Sequence, residues 1–135
     1  MYEYTVHSVL KIVDGDTVDL VIDCGFGILT KQRVRLDGLD TPESATRNLE
    51  EKALGLETKR YVEEWFRKPG ELVIRTRKDE GDKYGRLLAT VIRGGECLNE
   101  IMIRDGWAWR YDGGTKTKNL KQLAEARKAS NTKPI

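Results

Sequence analysis

The chain has 135 residues, of which 39% are hydrophobic and 34% are charged, and its formal net charge is +2. This composition is typical of one globular domain, and a chain of this length buries roughly two-thirds of its unfolded surface without disulfides or metals. The small net charge excludes a uniformly polycationic protein. Any attraction to nucleic acid must therefore come from local clusters of basic side chains.

The amino terminus carries no targeting signal that the sequence pattern reveals. Residues 1–5 include neither a basic segment nor an apolar run, and no stretch is apolar enough to span a bilayer. We expect no membrane association, and a cytoplasmic protein as written, or a secreted one if a leader has been removed. Cys24 and Cys97 lack the spacing of a zinc site, and we interpret them as buried, reduced thiols.

Strands with a tight turn between them are predicted at the start of the chain. Apolar and polar residues alternate over residues 5–12 and 17–22, and Asp14-Gly15 between these runs is a strong turn signal. Gly25-Phe26-Gly27 marks a second reversal before a run over residues 28–39, in which Val34 and Leu36 face one way and Arg33 and Arg35 the other. The period of two predicts a β-rich first third.

The hydrophobic residues of the next segment repeat with helical period, at Leu54, Tyr61, Val62, Trp65 and Phe66. Asn48, followed three residues later by Glu51, is typical of a helix start. Pro69-Gly70 is typical of its end. This pattern predicts an amphipathic helix between Asn48 and Pro69.

Strands return at residues 71–77 and 87–93, followed by a short helix that ends at Asp105-Gly106 and by a last helix. Closely spaced short strands interrupted by helices are typical of a small closed barrel with helices packed on it. We therefore predict an α+β fold of the OB kind. Because no repeat or linker divides the chain, we expect one domain over residues 1–130 and a polar tail over 131–135.

Oxygen ligands for a divalent cation lie at the ends of two predicted strands. Asp16 follows the first turn and Asp40 ends a later strand, so both side chains can project from one rim of a barrel. Thr41 adds a carbonyl or hydroxyl oxygen, and the bond to Pro42 biases it to extended geometry ahead of Glu43. Calcium and magnesium prefer such ligands. The alternative is that the aspartates are turn formers on a solvated surface.

Arg35 and Arg86 supply groups that suit a phosphate. A planar guanidinium can meet two non-bridging oxygens of a phosphodiester with parallel hydrogen bonds. Glu43 is a candidate general base for an attacking water, or a group that only orders this water. The alternative for either arginine is an ordinary surface residue of a highly charged chain.

These residues resemble, in order and approximate spacing, the signature of the staphylococcal nuclease family. The matching stretches are Asp16-Thr17, Arg35, Asp40-Thr41-Pro42-Glu43 and Asp82-Lys83-Tyr84-Gly85-Arg86. The resemblance extends over residues 9–106. It implies a five-stranded OB barrel with three packed helices, and calcium-dependent hydrolysis of DNA and RNA that leaves 3′-phosphate ends.

The resemblance also implies roles for the matching positions. The ligands of Ca²⁺ would be Asp16, Asp40 and, through its carbonyl, Thr41. The residues that act on the water and on the scissile phosphate would be Glu43, Arg35 and Arg86. The neighbouring terminal phosphate would be contacted by Lys83 and Tyr84.

Aromatic residues near the end of the chain are candidates for stacking on a base. Trp107, Trp109 and Tyr111 alternate, and stacking of one base on an aromatic ring is worth about 1–3 kcal/mol. Tyr111 is the best candidate for this contact. The alternative is that both tryptophans belong to the core beneath the last helix.

The segment after Glu43 departs from the family pattern. The family has a long basic loop there, whereas residues 44–51 carry little positive charge, which weakens the grip on a polyanion. We predict a monomeric hydrolase, a calcium-dependent endonuclease acting on DNA, RNA or both. The alternative is a non-catalytic module of the OB kind that binds nucleic acid or protein. A purely structural calcium protein has little support, because the acids do not follow the EF-hand order.

Overall fold

The computed structural model describes residues 2–78, 86–111 and 119–131. In chain order, the elements of these residues are β1 (Tyr2–Asp14), β2 (Thr17–Asp23), β3 (Leu29–Leu36), β4 (Leu39–Asp40), α1 (Leu49–Arg67), β5 (Leu72–Lys78), β6 (Leu87–Arg93), β7 (Glu96–Cys97), α2 (Leu98–Arg104), β8 (Trp109–Arg110) and α3 (Leu120–Asn131).

A closed barrel forms the centre of the described part of the chain. Its strands follow the order β3-β2-β1-β5-β6 with antiparallel neighbours, and a parallel pairing of β3 with β6 closes it. Short β7 pairs antiparallel with the end of β6, while β4 and β8 form a separate small ladder. The prediction of a five-stranded OB-type barrel with three helices is confirmed.

The inward faces of β2 and β3 follow the predicted alternation. Val18, Leu20 and Ile22 of β2 and Val34 and Leu36 of β3 are all buried in the core. β1 does not follow it, because its pairing with β2 shifts register three times. Each shift places an extra residue in one strand and turns the following side chains to the other face. Leu10 is consequently 51% exposed.

Helix α1 covers one side of the barrel and begins where the sequence predicts. The side chain of Asn48 accepts hydrogen bonds from the backbone N–H groups of Glu50 and Glu51, at 3.1 and 3.2 Å. Its buried side chains include Leu54, Val62, Trp65 and Phe66. An apolar stripe of this kind gains its stability from packing on the core rather than from helix propensity.

A buried asparagine of α2 ties the barrel to the turn after β3. Asn99 Oδ1 accepts from Val91 N at 3.0 Å, and Nδ2 donates to the carbonyl oxygens of Ala89 and Asp37 at 3.0 and 2.9 Å. A buried amide must satisfy its donors and acceptor, and these three bonds do so. They hold the backbone that leads from β3 into β4.

The turn between β2 and β3 stands away from the core. Cys24 in this turn is exposed and Cys97 is half-buried, and both are free thiols. The prediction of a buried thiol is therefore wrong for Cys24, because the hairpin extends beyond the packed part of the barrel. Phe26 at its tip is fully exposed and has a φ of 57°. Among the described helices, none is long and apolar enough to cross a membrane.

Candidate functional site

The ladder between β2 and β3 brings Asp16 and Arg35 together. Thr17 pairs with Arg35 across the ladder, and Leu36 N donates to Asp16 O at 2.8 Å. Arg35 Nε then lies 3.7 Å from Asp16 Oδ2. Because a two-residue turn joins β1 to β2, Asp16 is held at the very edge of the barrel.

Asp40 reaches the same guanidinium from β4. The chain turns sharply at Gly38, whose φ of 79° suits a residue without a Cβ. Asp40 Oδ1 then lies 3.9 Å from Arg35 Nη2. The two aspartates therefore meet at one rim of the barrel, as their predicted strand positions require.

The donors at this rim suit a hard cation. Two carboxylates, those of Asp16 and Asp40, surround one guanidinium, and Thr41 follows directly with its peptide carbonyl. Within the described ranges, three or more His, Cys, Asp or Glu side chains do not converge on one point. Calcium accepts two carboxylates completed by carbonyl oxygens and water, so these residues fit it. Structural zinc sites are built mainly from cysteine and histidine, whereas the donors named here are all oxygens.

Arg86 joins the cluster from the start of β6. The parallel pairing of β6 with β3 places Leu87 opposite Val34, so Arg86 enters beside the end of β3. Arg86 Nη1 donates to Thr17 Oγ1 at 3.4 Å, and Thr17 Oγ1 donates to Asp16 Oδ1 at 2.9 Å. The second arginine is thus connected to the first aspartate through one hydroxyl group.

A cleft of about 600 Å³ opens beside this cluster. Its walls include Asp16, Thr17, Arg33 and Arg86. Arg33 was not among the predicted site residues, although the alternation of β3 puts it on the side of Arg35. It donates to both carboxylate oxygens of Asp19, at 2.8 and 3.1 Å, and these hydrogen bonds lower the pKa of Asp19. The volume is within the range of small-ligand sites.

Glu43 is exposed, and its backbone is anchored to the start of α1. Its N–H donates to Glu51 Oε2 at 3.0 Å. The carboxylate of Glu51 therefore supports the backbone of the segment that carries Glu43, while the N–H of Asn48 donates to Thr46 Oγ1 at 3.3 Å. Glu43 stays a predicted base or water-ordering residue whose side chain reaches solvent.

Tyr111 lies against Arg35, but Trp107 does not belong to the same surface. The guanidinium carbon of Arg35 is 5.7 Å from the centroid of the Tyr111 ring, and Tyr111 N donates to Gly38 O at 2.8 Å. Trp107 stacks on Tyr61 at 4.5 Å and packs against the core, as the alternative interpretation stated, whereas Trp109 is half-buried and is not part of the described core cluster. The predicted contacts Lys83 and Tyr84 lie outside the described residues.

Two acidic turns, the one that carries Asp16 and the one that carries Glu43, rest on helix α1. The contacts are made by two small residues of the helix that the sequence pattern did not single out. A Cβ built on Gly15 would lie 2.7 Å from the methyl carbon of Thr58. A Cβ built on Gly55 would lie 2.7 Å from Pro42 O and from the carbonyl carbon and oxygen of Glu43. Gly55 and Thr58 are three residues apart, so they lie on one face of the helix. This spacing of small residues on α1 was the sequence signal that could have predicted the close packing.

Comparison with known proteins identifies similar chains. The family model described as "Staphylococcal nuclease homologue" matches residues 33–133. A thermonuclease of Staphylococcus hyicus is 30% identical over 102 residues, which are 76% of this chain and 57% of the relative. A micrococcal nuclease of Shigella flexneri is 32% identical over 114 residues, which are 77% of this chain and 57% of the relative.

A further relative is an uncharacterized protein of Bacillus anthracis. It is 33% identical over 122 residues, 90% of this chain and 55% of the relative. The chain thus spans between 55% and 57% of the length of these three curated relatives.

Proposed function

This chain belongs to the staphylococcal nuclease family, and we propose that it is a calcium-dependent nuclease that hydrolyses phosphodiester bonds of DNA or RNA. One observation carries the proposal. The guanidinium of Arg35 lies within 3.9 Å of the carboxylates of both Asp16 and Asp40. Cation ligands and a phosphate-binding group therefore share one rim of the barrel. Relatives named thermonuclease and micrococcal nuclease support the hydrolytic reaction.

Calcium would be held by the carboxylates of Asp16 and Asp40 and by the carbonyl of Thr41. When bound, the cation would polarise the phosphate oxygens and offset their growing negative charge. Asp40 and Thr41 are buried, so their oxygens are held in place before any ligand arrives. Such preorganisation avoids an entropic cost on binding.

Arg35 and Arg86 bind the non-bridging oxygens of the scissile phosphate. At 3.7 and 3.9 Å, Arg35 is held beside the aspartates by charge rather than by short hydrogen bonds. Its side chain is only 13% exposed, so water screens it weakly. Removing one preorganised donor of this kind typically costs about 2.7–4 kcal/mol of barrier.

Glu43 takes the proton of the attacking water, or orders that water for attack. The water oxygen bonds to phosphorus while the bond from phosphorus to the 5′ oxygen breaks, and the 5′ oxygen leaves as a hydroxyl after gaining a proton. The phosphate then stays on the 3′ end. The backbone of Glu43 is anchored to Glu51, while its exposed side chain can meet water and substrate. General-base catalysis contributes roughly 10²–10⁴ in rate.

The proposal is tested by digestion of plasmid DNA and of a matched RNA with added Ca²⁺, and again with a chelator. We expect cleavage that requires Ca²⁺, and product ends that a polymerase extends only after phosphatase treatment. Glu43→Gln should lower kcat by about 10²–10⁴. The matched control is Glu64→Gln, on an exposed position of α1, which should leave kcat unchanged.

No cleavage with Ca²⁺ over a wide range of protein concentration would contradict the proposal. Binding of single-stranded DNA without cleavage would instead support the alternative of an OB-type binding module.

A further inference from the structure

We propose that Arg127 of α3 is a positioning residue of the candidate site, which acts through α1 on the two turns that carry Asp16 and Glu43. The proposal rests on the nuclease function proposed above. Arg127 itself contacts none of the predicted site residues through its described hydrogen bonds.

Arg127 is a buried cation whose hydrogen-bond partners lie on two parts of the fold, helix α1 and the turn after α2. Arg127 is only 4% exposed, and this burial lowers the pKa of its guanidinium group. Nε donates to Gly106 O at 3.1 Å, Nη1 to Leu54 O at 3.2 Å and Nη2 to Thr58 Oγ1 at 2.9 Å. Burying a charge costs several kcal/mol unless hydrogen bonds and an ion pair compensate. The ion-pair partner is Glu57, whose Oε2 lies 3.6 Å from Arg127 Nη1, so the compensating partners belong mainly to one turn of α1.

Thr58 carries the effect from Arg127 to the first acidic turn. Its hydroxyl accepts from Arg127 and donates to Trp107 O at 3.0 Å, so both bonds select one rotamer of a β-branched side chain. The methyl group is thereby directed at Gly15, where an added Cβ would lie 2.7 Å away. Gly15 directly precedes Asp16, so a different rotamer of Thr58 would press on the backbone that places this carboxylate.

Leu54 carries the effect to the second turn. The carbonyl that Arg127 binds belongs to the residue before Gly55, and Gly55 packs directly against the backbone of Pro42 and Glu43. Backbone contacts of this kind cannot yield by a change of rotamer. Arg127 therefore anchors the one turn of α1, residues 54–58, that supports both acidic turns.

Arg93 provides a matched comparison within the same protein. It is also a buried arginine, it stacks over Trp65 with its guanidinium carbon 3.8 Å from the ring centroid, and it donates to the carbonyl oxygens of Trp65 and Lys68. Arg127 stacks over Trp107 in the same way, at 4.3 Å. Arg93 binds the opposite end of α1, about 10 Å along the axis from Thr58. Its loss should weaken the helix without acting on the acidic turns.

The test compares Arg127→Lys with Arg93→Lys, because lysine keeps the charge and loses the planar set of donors. Unfolding in urea gives the stability of each variant. Calcium affinity by calorimetry and kcat on plasmid DNA are then measured at a temperature at which each variant is folded. We expect Arg127→Lys to weaken calcium binding and to lower kcat by about 10–100-fold, since a misplacement of 1 Å can cost 10² in rate. Arg93→Lys should lose stability and keep both values.

A double variant tests the route through Thr58. Thr58→Val alone should reproduce the functional loss, and adding it to Arg127→Lys should cause little more, because residues that act through one contact are not additive. If Arg127→Lys does not fold, Thr58→Val against Thr58→Ser carries the same comparison. Serine retains the hydroxyl group and valine removes it.

The proposal is overturned if both arginine variants lose calcium affinity and kcat in proportion to stability, or if Arg127→Lys keeps both. Wild-type protein that neither binds calcium nor cleaves would contradict the proposed function instead. Amide NMR shifts then test the positioning alone. Arg127→Lys should shift the signals of Asp16 and Glu43 more than Arg93→Lys does, and equal or smaller shifts would overturn the inference.

Discussion

Replacing Gly55 by alanine should destabilise this protein, although the same change stabilises most helices. In an exposed helix interior, alanine is about 0.8–1.0 kcal/mol more favourable than glycine. At Gly55 the new Cβ would lie 2.7 Å from three backbone atoms of Pro42 and Glu43. No side-chain rotation relieves contacts with backbone, so the two segments must separate.

The magnitude follows from these opposing terms. Overpacking costs about 1–3 kcal/mol, and three simultaneous backbone contacts place this site in the upper half of that range. After subtraction of the gain in helix propensity, the net loss is about 1–2 kcal/mol. For a chain of this size, the loss corresponds to a decrease in Tm of about 4–8 °C. Because Glu43 moves with its backbone, kcat should decrease by about tenfold or more.

The assay combines urea unfolding with plasmid cleavage, and Ala53→Gly is the calibrating variant. Ala53 is an exposed residue two positions earlier in α1. Its replacement should cost about 1 kcal/mol from propensity alone and leave kcat unchanged. Stabilisation by Gly55→Ala of about 1 kcal/mol, with kcat unchanged, would refute the packing argument.

Three further outcomes are expected. Asp40→Asn should raise the Ca²⁺ concentration needed for half-maximal activity by at least tenfold, because it removes one of two carboxylates from the rim. An unchanged Ca²⁺ requirement in a calcium titration would exclude Asp40 as a ligand. Phe26→Asn should raise the free energy of unfolding by up to about 1 kcal/mol without changing kcat. Phe26 has a left-handed φ of 57° that asparagine tolerates better, and its exposed ring has no packing to lose. A loss of stability in urea would contradict this reasoning. Burial raises the pKa of Tyr61 above 10.0, so the unfolded state loses this proton first and stability should fall as pH rises above about 10. Tyr61→Phe should make that fall shallower, and parallel stability curves from pH 9 to 11 would refute the assignment.

Local patterns identified much of the secondary structure. The alternation in β2 and β3 marked their buried faces, and Asn48 marked the start of α1. These signals succeed because side-chain period and helix capping depend on neighbours within a few residues. The same reasoning failed in β1, where three register shifts leave Leu10 exposed. Such shifts depend on how two strands pair, which alternation within one strand does not reveal.

For the candidate site too, the sequence predicted some properties and the tertiary structure supplied the others. The chemical character of its residues was available from the chain alone, since carboxylates and guanidinium groups have the same preferences in any fold. That the carboxylates and guanidinium groups lie together at one rim of the barrel was an expectation from strand order and family resemblance. The distances between Arg35, Asp16 and Asp40 required the closed barrel and the small ladder of β4 with β8.

The chain by itself therefore determined the element types, the OB-type class, the family and the kinds of groups that we propose to bind cation and phosphate. The contacts that hold the site segments in place were visible only in the tertiary structure, because they join segments that are distant in the chain. Arg127 binds Leu54 across 73 positions, and Gly55 lies against Glu43 only because α1 folds back on the rim. An arginine in a charged helix looks like a solvated side chain until the fold shows that it is buried. Burial and close approach are properties of three-dimensional packing, and no local period encodes them.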